Sequence, residues 1–115
     1  MLIKQIPIRN DLRNYMYLLA CEKTADAIAI DPLDHARCLK VAYELGWTIK
    51  TVANTHHHHD HIGGNDQVIA ATGAKLVAHK DAMDLIPGVN TGLIAGDDLQ
   101  CGEITLKVMD TPGHT

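Results

Sequence analysis

The stretch NTHHHHDHIGG, residues 54–64, places five histidines and one aspartate at six consecutive positions. In extended backbone, side chains two positions apart point the same way, so His56 and His58 can bind one metal ion together. Asp60 and His61 follow where the chain turns, and they can face a second ion. Neutral imidazoles and a carboxylate suit Zn²⁺, and also Fe²⁺ or Mn²⁺. The spacing therefore predicts a two-metal site.

Two simpler explanations of the histidine run are an expression tag and a solvated polar loop. A tag normally stands at a chain terminus, whereas this run is internal and is followed by Gly63 and Gly64, which allow a tight turn. We therefore favour the metal site. His57 and His59 alternate with the proposed ligands, and we expect them to lie behind the ligands or in solvent.

Short apolar runs alternate with helical stretches, which predicts a layered α/β fold. The predicted strands cover residues 2–8, 15–20, 25–30, 48–53, 75–78 and 103–109. Between the last two strands, the chain is polar and Gly-rich, with a turn at Pro87 and Gly88. The histidine run directly follows the strand at 48–53 and therefore lies on a strand-to-helix loop.

Two helices are predicted between these strands. The first is capped by Asp34 and ends at Gly46, and the second covers about Asn65–Thr72 and stops at Gly73. One face of the first helix carries apolar residues at helical spacing, and we expect this face to pack on the sheet. These residues are Cys38, Val41, Ala42 and Leu45.

Composition restricts the partner and the compartment. The 115 residues make one domain, and a net charge of −4 without a Lys/Arg run argues against nucleic acid or an anionic membrane as partner. We expect a small-molecule partner instead. Charged residues interrupt the apolar residues near the N-terminus, so the sequence predicts neither a signal peptide nor a membrane span. We therefore expect a cytoplasmic protein. Cys21, Cys38 and Cys101 are far apart in sequence and are expected to be reduced core residues.

His114 is the other histidine that the sequence singles out. It stands on the Pro–Gly turn of the C-terminal TPGHT, after a predicted strand. From there it can complete a three-histidine site with His56 and His58 that leaves a fourth position for water. We expect His35 and His79 to lie at the surface or at the edge of the core.

Four motifs occur in the order and spacing of a known family: NYMYL at 14–18, IDP at 30–32, THHHHDHIGGN at 55–65 and DTPGHT at 110–115. Because of these four motifs, the chain resembles the N-terminal half of a metallo-β-lactamase-fold hydrolase. Within that superfamily it is most similar to glyoxalase II, the hydroxyacylglutathione hydrolase. The resemblance implies that residues 1–115 form the N-terminal half of an αββα sandwich. The downstream half and the C-terminal substrate-binding region of that family have no counterpart here.

The resemblance also implies how the site residues act. His56, His58 and His114 would hold one ion, and Asp60 with His61 the other, with Zn²⁺ as the expected metal and Fe or Mn as alternatives. The implied reaction is hydrolysis of S-(2-hydroxyacyl)glutathione thioesters to glutathione and a 2-hydroxy acid. Asp60 is the expected catalytic residue, because a carboxylate can orient the attacking water.

Departures from the family leave other functions open. His59 stands where glyoxalase II commonly has an aromatic residue, and we expect this change to affect only the surroundings of the ligands. A bridging aspartate and a further histidine of the family lie downstream of TPGHT. We therefore expect this chain alone to have little activity, and to self-associate or bind a complementing downstream chain through an uncovered apolar sheet face. Alternatives are an iron persulfide dioxygenase of the same fold and a non-catalytic metal-binding half-domain.

Overall fold

A computed structural model of the chain describes residues 1–7, 15–55, 63–86 and 88–108. Within these ranges, one sheet contains the strands β1 (Leu2–Pro7), β2 (Tyr15–Ala20), β3 (Asp26–Ile30), β4 (Thr48–Ala53), β5 (Lys75–His79) and β6 (Thr91–Leu93). A separate hairpin is formed by β7 (Asp98–Cys101) and β8 (Ile104–Lys107). The helices are α1 (His35–Leu45) and α2 (Asn65–Thr72), and a 3₁₀ helix covers Lys80–Ala82.

The sheet follows chain order and changes from antiparallel to parallel at β3. Strands β1, β2 and β3 pair antiparallel, whereas β3, β4, β5 and β6 pair parallel. Helix α1 connects β3 to β4, and α2 connects β4 to β5, as parallel strands require a crossover. The carboxyl ends of β3, β4 and β5 therefore meet at one edge of the sheet, where α/β proteins usually bind ligands.

Helix α1 has the ends that the sequence predicts. The Asp34 side chain accepts a hydrogen bond from the Arg37 backbone N–H at 3.2 Å, and Gly46 takes a left-handed conformation with φ +73°. Cys38 and Ala42 are buried against the sheet as expected. The prediction for Leu45 is wrong, because its side chain is 45% exposed.

The turn that follows α1 places Trp47, rather than Leu45, against the core. The backbone N–H of Trp47 returns to the carbonyl oxygen of Ala42 at 2.9 Å, which closes the helix in the manner of a Schellman motif. Trp47 then packs against the core. Trp47 thus supplies the apolar contact with the core at this end of the helix, whereas Leu45 lies at the surface.

The core between the helices and the sheet is aliphatic. Its members include side chains from five strands and both helices, namely Ile6, Met16, Leu18, Ala20, Ala27, Ala29, Cys38, Ala42, Ile49, Val52, Val68, Leu76 and Ala78. Alternate residues of β2, β3 and β5 face this core, as the period of a strand requires. In β4, Ile49 and Val52 are three positions apart, and the pairing of β3 with β4 shifts its register between them. No helix among the described residues is long and apolar enough to cross a membrane.

Most predicted strands are confirmed, with small changes at their ends. The strand predicted at 25–30 begins at Asp26, because Ala25 takes a left-handed φ of +61° in the preceding turn. The strand predicted at 103–109 covers Ile104–Lys107. The polar, Gly-rich segment between the last two predicted strands contains β6 and β7, which are only three and four residues long and too short to show a period. His35 and His79 are half-buried, in agreement with the prediction.

The other face of the sheet is partly covered. Ile28, Thr51 and Val77 are buried on this face, whereas Tyr17 and Ile30 are half-buried. The β7–β8 hairpin packs against β3 on this side. Self-association through the remaining apolar surface stays a prediction.

Candidate functional site

All five predicted metal ligands lie outside the described residues, as do the two intervening histidines. They are His56, His57, His58, His59, Asp60, His61 and His114. Among the residues that the structure describes, no group of three or more His, Cys, Asp or Glu side chains could hold a metal ion. The structure does describe both ends of the histidine loop, Thr55 two residues after β4 and Gly63 before α2.

Asp31 fixes the first end of the loop. It follows β3, is 4% exposed and has a left-handed φ of +52°. Its carboxylate accepts hydrogen bonds from the Thr55 backbone N–H at 2.8 Å and from the Thr55 hydroxyl at 2.6 Å. Its own N–H donates to the carbonyl oxygen of Ala53 at 2.9 Å. The chain entering the histidine run is therefore fixed to Asp31 at both Ala53 and Thr55.

Two buried asparagines join the two ends of the loop. Asn65 Nδ2 donates to Asn54 Oδ1 at 2.6 Å, and Asn54 Nδ2 donates to Asn65 Oδ1 at 3.2 Å. Asn54 Nδ2 also lies 3.5 Å from Asp31 Oδ1. Asn54 and Asn65 are 7% and 3% exposed, so water competes little for these hydrogen bonds. The residue before the loop and the first residue of α2 are thereby fixed to each other.

Gly64 fixes the second end of the loop by close packing. A Cβ atom at this position would lie 1.8 Å from the carbonyl oxygen of Pro32 and 2.7 Å from that of Leu33. Only glycine allows the start of α2 to approach this backbone so closely. Both ends of the loop therefore rest on the segment Asp31–Leu33, at the carboxyl edge of the parallel strands.

Motifs and spacing alone assign no supporting role to Asp31, Asn54 or Asn65. Asp31 and Asn54 each directly follow a buried strand, and Asn65 begins a helix. A polar residue directly after a buried strand is the signal that could have identified the first two. Their contacts with one another depend on which strands are neighbours, and the linear spacing does not reveal this.

Replacing Asp31 by alanine should lower the free energy of unfolding of the metal-free chain by about 3 kcal/mol. Both hydrogen bonds from Thr55 would lose their charged acceptor, a hydrogen bond to a charged group contributing about 1.5–3 kcal/mol, and alanine tolerates the left-handed backbone poorly. Urea unfolding followed by circular dichroism measures the change.

Asp31→Asn is the matched control. Asparagine tolerates the left-handed conformation and keeps one acceptor oxygen for the Thr55 N–H, so we expect a loss of only about 1 kcal/mol. Equal losses for the alanine and asparagine variants would contradict the role assigned to the hydrogen bonds of Asp31.

Comparison with known proteins agrees with this architecture. The family model of the metallo-beta-lactamase superfamily matches residues 14–115. Hydroxyacylglutathione hydrolases of Nitrosococcus oceani and of a Polaromonas species are each 53% identical to this chain over 116 residues. Each match covers 100% of this chain and 44% of the relative. The chain thus spans less than half the length of these curated relatives.

Solved structures superpose on the whole chain. ETHE1 from Myxococcus xanthus is 32% identical, with a TM-score of 0.88 over 100% of this chain and 50% of that protein. A metallo-beta-lactamase from Staphylococcus aureus is 33% identical, with a TM-score of 0.83 over 100% of this chain and 36% of that protein. The predicted α/β fold, corresponding to the N-terminal half of the αββα sandwich, is confirmed.

Proposed function

Because the chain belongs to the metallo-beta-lactamase superfamily, we propose that it forms the metal-binding part of a thioester hydrolase. The proposed reaction converts S-(2-hydroxyacyl)glutathione to glutathione and a 2-hydroxy acid. The name of the relatives, hydroxyacylglutathione hydrolase, supports this reaction. In this proposal, the groups that bind glutathione belong to the part of the relatives that this chain does not match.

The anchoring of the histidine loop carries the proposal. The loop starts at Thr55, which Asp31 holds, and ends at Gly64, which packs on Pro32. A loop with both ends fixed at the carboxyl edge of parallel strands loses little further entropy when it binds a ligand. This is the support that a preorganised metal site needs.

The donor atoms of the loop fit a divalent metal. We propose His56, His58 and His114 as ligands of one ion and Asp60 with His61 as ligands of a second. Imidazole and carboxylate groups favour Zn²⁺, with Fe²⁺ or Mn²⁺ as alternatives. When bound, such ions lower the pKa of a coordinated water to about 7 and stabilise a developing oxyanion.

The remaining steps of the proposed hydrolysis are the orientation of the attacking water and the departure of the thiolate. The Asp60 carboxylate would accept a hydrogen bond from the attacking water and orient it towards the thioester carbonyl carbon. The leaving group is a thiolate whose free thiol has a pKa of about 8.5, so it departs with little help from a general acid. The absence of an obvious second acid in the histidine run is compatible with this chemistry.

A chimera tests the proposed reaction. We would join residues 1–115 to the part of the Nitrosococcus oceani hydrolase that this chain does not match, and measure thiol release from S-lactoylglutathione. We expect metal-dependent turnover of about 1 to 10³ s⁻¹, the range typical of enzymes. The 115-residue chain alone should show little or no turnover, because it lacks the family's bridging carboxylate.

Two further substrates separate this function from its alternatives. Oxygen consumption with glutathione persulfide and an iron-loaded chimera would favour a persulfide dioxygenase instead. Metal binding without turnover of either substrate would favour a non-catalytic metal-binding half-domain. Turnover of S-lactoylglutathione by the 115-residue chain alone would contradict the expectation that downstream groups are required.

The same proposal includes the compartment and the partners. We propose a cytoplasmic enzyme that acts on a small anionic thioester and binds neither nucleic acid nor a membrane. The net charge of −4 and the lack of a Lys/Arg run in the sequence argue against attraction to polymer phosphates or anionic lipids. A second copy or a downstream chain remains the proposed partner for the half-covered sheet face.

A further inference from the structure

Two cysteines from distant parts of the sequence meet where the β7–β8 hairpin packs on the sheet. The backbone N–H of Cys21 donates to the carbonyl oxygen of Asp26 at 3.0 Å, and the Cys101 thiol donates to the same oxygen at 3.2 Å. Cys21 and Cys101 are only 3% and 5% exposed. The two residues are therefore neighbours that share one acceptor and have little contact with bulk solvent.

The sulfur of Cys21 is surrounded by hydrogen-bond donors. The Glu103 backbone N–H donates to Cys21 Sγ at 3.5 Å. This donor, the Thr24 hydroxyl and the backbone N–H groups of Thr24 and Lys23 lower the pKa of Cys21 to about 7. A Cβ atom at Gly102 would lie 3.1 Å from the same sulfur. The turn after β2 and the tip of the β7–β8 hairpin thus form a pocket that favours a thiolate.

Cys101 differs from Cys21 in its ionisation. Burial raises the pKa of Cys101, and the nearby charges of Cys21 and Asp26 raise it further. Cys101 also lines a cavity of about 280 Å³ with Lys50, Thr51 and Gln100. The same cavity reaches Gly102, the residue whose Cβ position lies 3.1 Å from the Cys21 sulfur. The pair therefore combines a thiolate at Cys21 with a neutral thiol at Cys101.

We propose that Cys21 and Cys101 form a redox-active dithiol that a hydroperoxide oxidises to a disulfide. The Cys21 thiolate attacks one peroxide oxygen, the O–O bond breaks, and the departing oxygen takes up a proton, which leaves Cys21 as a sulfenic acid. Cys101 then attacks the sulfenic sulfur. The S–S bond forms, the S–O bond breaks, and the hydroxyl group leaves as water with the Cys101 proton. Two electrons pass from the sulfurs to the peroxide.

The disulfide would link two elements that are otherwise held by non-covalent contacts. It would connect the turn between β2 and β3 to the end of β7, and so fix the hairpin on the sheet. Cys38 provides an internal control, because it is a buried residue of α1 and burial raises its pKa to about 12. A thiol with such a pKa is scarcely ionised at neutral pH and should resist the same oxidant.

Treatment of the reduced protein with hydrogen peroxide, followed by alkylation and peptide mass mapping, tests the proposal. We expect loss of the mass of two hydrogen atoms and one cross-linked peptide pair containing Cys21 and Cys101. The Cys101→Ser variant should accumulate a Cys21 sulfenic acid that dimedone labels, whereas Cys21→Ser should give neither product. Cys38→Ser should behave like the unsubstituted protein.

The pH dependence gives a readout that needs no variant. Since Cys21 has a pKa of about 7, its thiolate fraction rises with pH, and the initial rate of disulfide formation should rise between about pH 6 and about pH 8 before levelling off. A rate that is constant over this range would overturn the proposal. So would failure to form a disulfide, or equal involvement of Cys38.

Discussion

Replacing His58 by alanine should weaken Zn²⁺ binding to the metal-free chain by more than about 100-fold. Loss of a group that merely supports a metal ligand already costs about 10–100-fold in affinity, and a direct ligand should cost more. His57→Ala should change the affinity little, because alternate side chains of an extended segment point in opposite directions. Isothermal titration calorimetry with Zn²⁺ measures both values.

The two variants form a matched pair, because they remove the same side chain at adjacent positions. They reduce the histidine content of the run equally and differ only in whether the histidine removed is a proposed ligand. Equal losses of affinity would show that the run binds metal unspecifically, as an affinity tag does. Circular dichroism of both metal-free variants should match that of the unsubstituted chain, since the sequence predicts both residues on a strand-to-helix loop.

Local signals predict the regular elements of this fold well. Helix α1 has a capping aspartate, an apolar face and a terminal glycine, so its bounds follow from the sequence. The strands β2 and β4 were predicted with the bounds that the structure gives them. Strands β6 and β7 were missed, because three or four residues are too few for an alternating pattern to stand out.

Contacts between distant segments could not be predicted in the same way. Asp31 supports the histidine loop only because β3 and β4 are parallel neighbours, which places Thr55 beside it. Cys21 and Cys101 meet only because the β7–β8 hairpin packs on β3. For each pair, the sequence shows the residue types without showing that they are adjacent.

In the candidate site, too, the sequence predicts the residue types and the structure shows the contacts between distant segments. Its proposed ligands follow from spacing and family motifs, and the residues from His56 to Ile62 and His114 lie outside the described part of the chain. What the structure adds is the support on either side of the loop. This support depends on Gly64, whose backbone can lie so close to Pro32 only because glycine has no side chain.

Replacing Gly64 by alanine should lower the free energy of unfolding by about 3 kcal/mol, at the upper end of the usual cost of overpacking. Gly64 has φ −99° and ψ 1°, a conformation open to alanine, so the cost is steric. The added Cβ would lie 1.8 Å from the Pro32 carbonyl oxygen, and backbone atoms cannot rotate away as a flexible side chain can. Urea unfolding of the metal-free chain measures the loss.

Gly73→Ala is the matched control, because Gly73 ends the same helix. A Cβ atom there would meet nothing within 4 Å, but the φ of +72° is unfavourable for alanine, so we expect a loss of only about 1 kcal/mol. The Gly64 variant should also bind Zn²⁺ more weakly, because displacing Pro32 moves the adjacent Asp31 and with it both ends of the histidine loop. The Gly73 variant should keep its metal affinity. Greater destabilisation by Gly73→Ala, or unchanged Zn²⁺ binding in a destabilised Gly64→Ala chain, would contradict the proposed support of the loop by the Asp31–Leu33 segment.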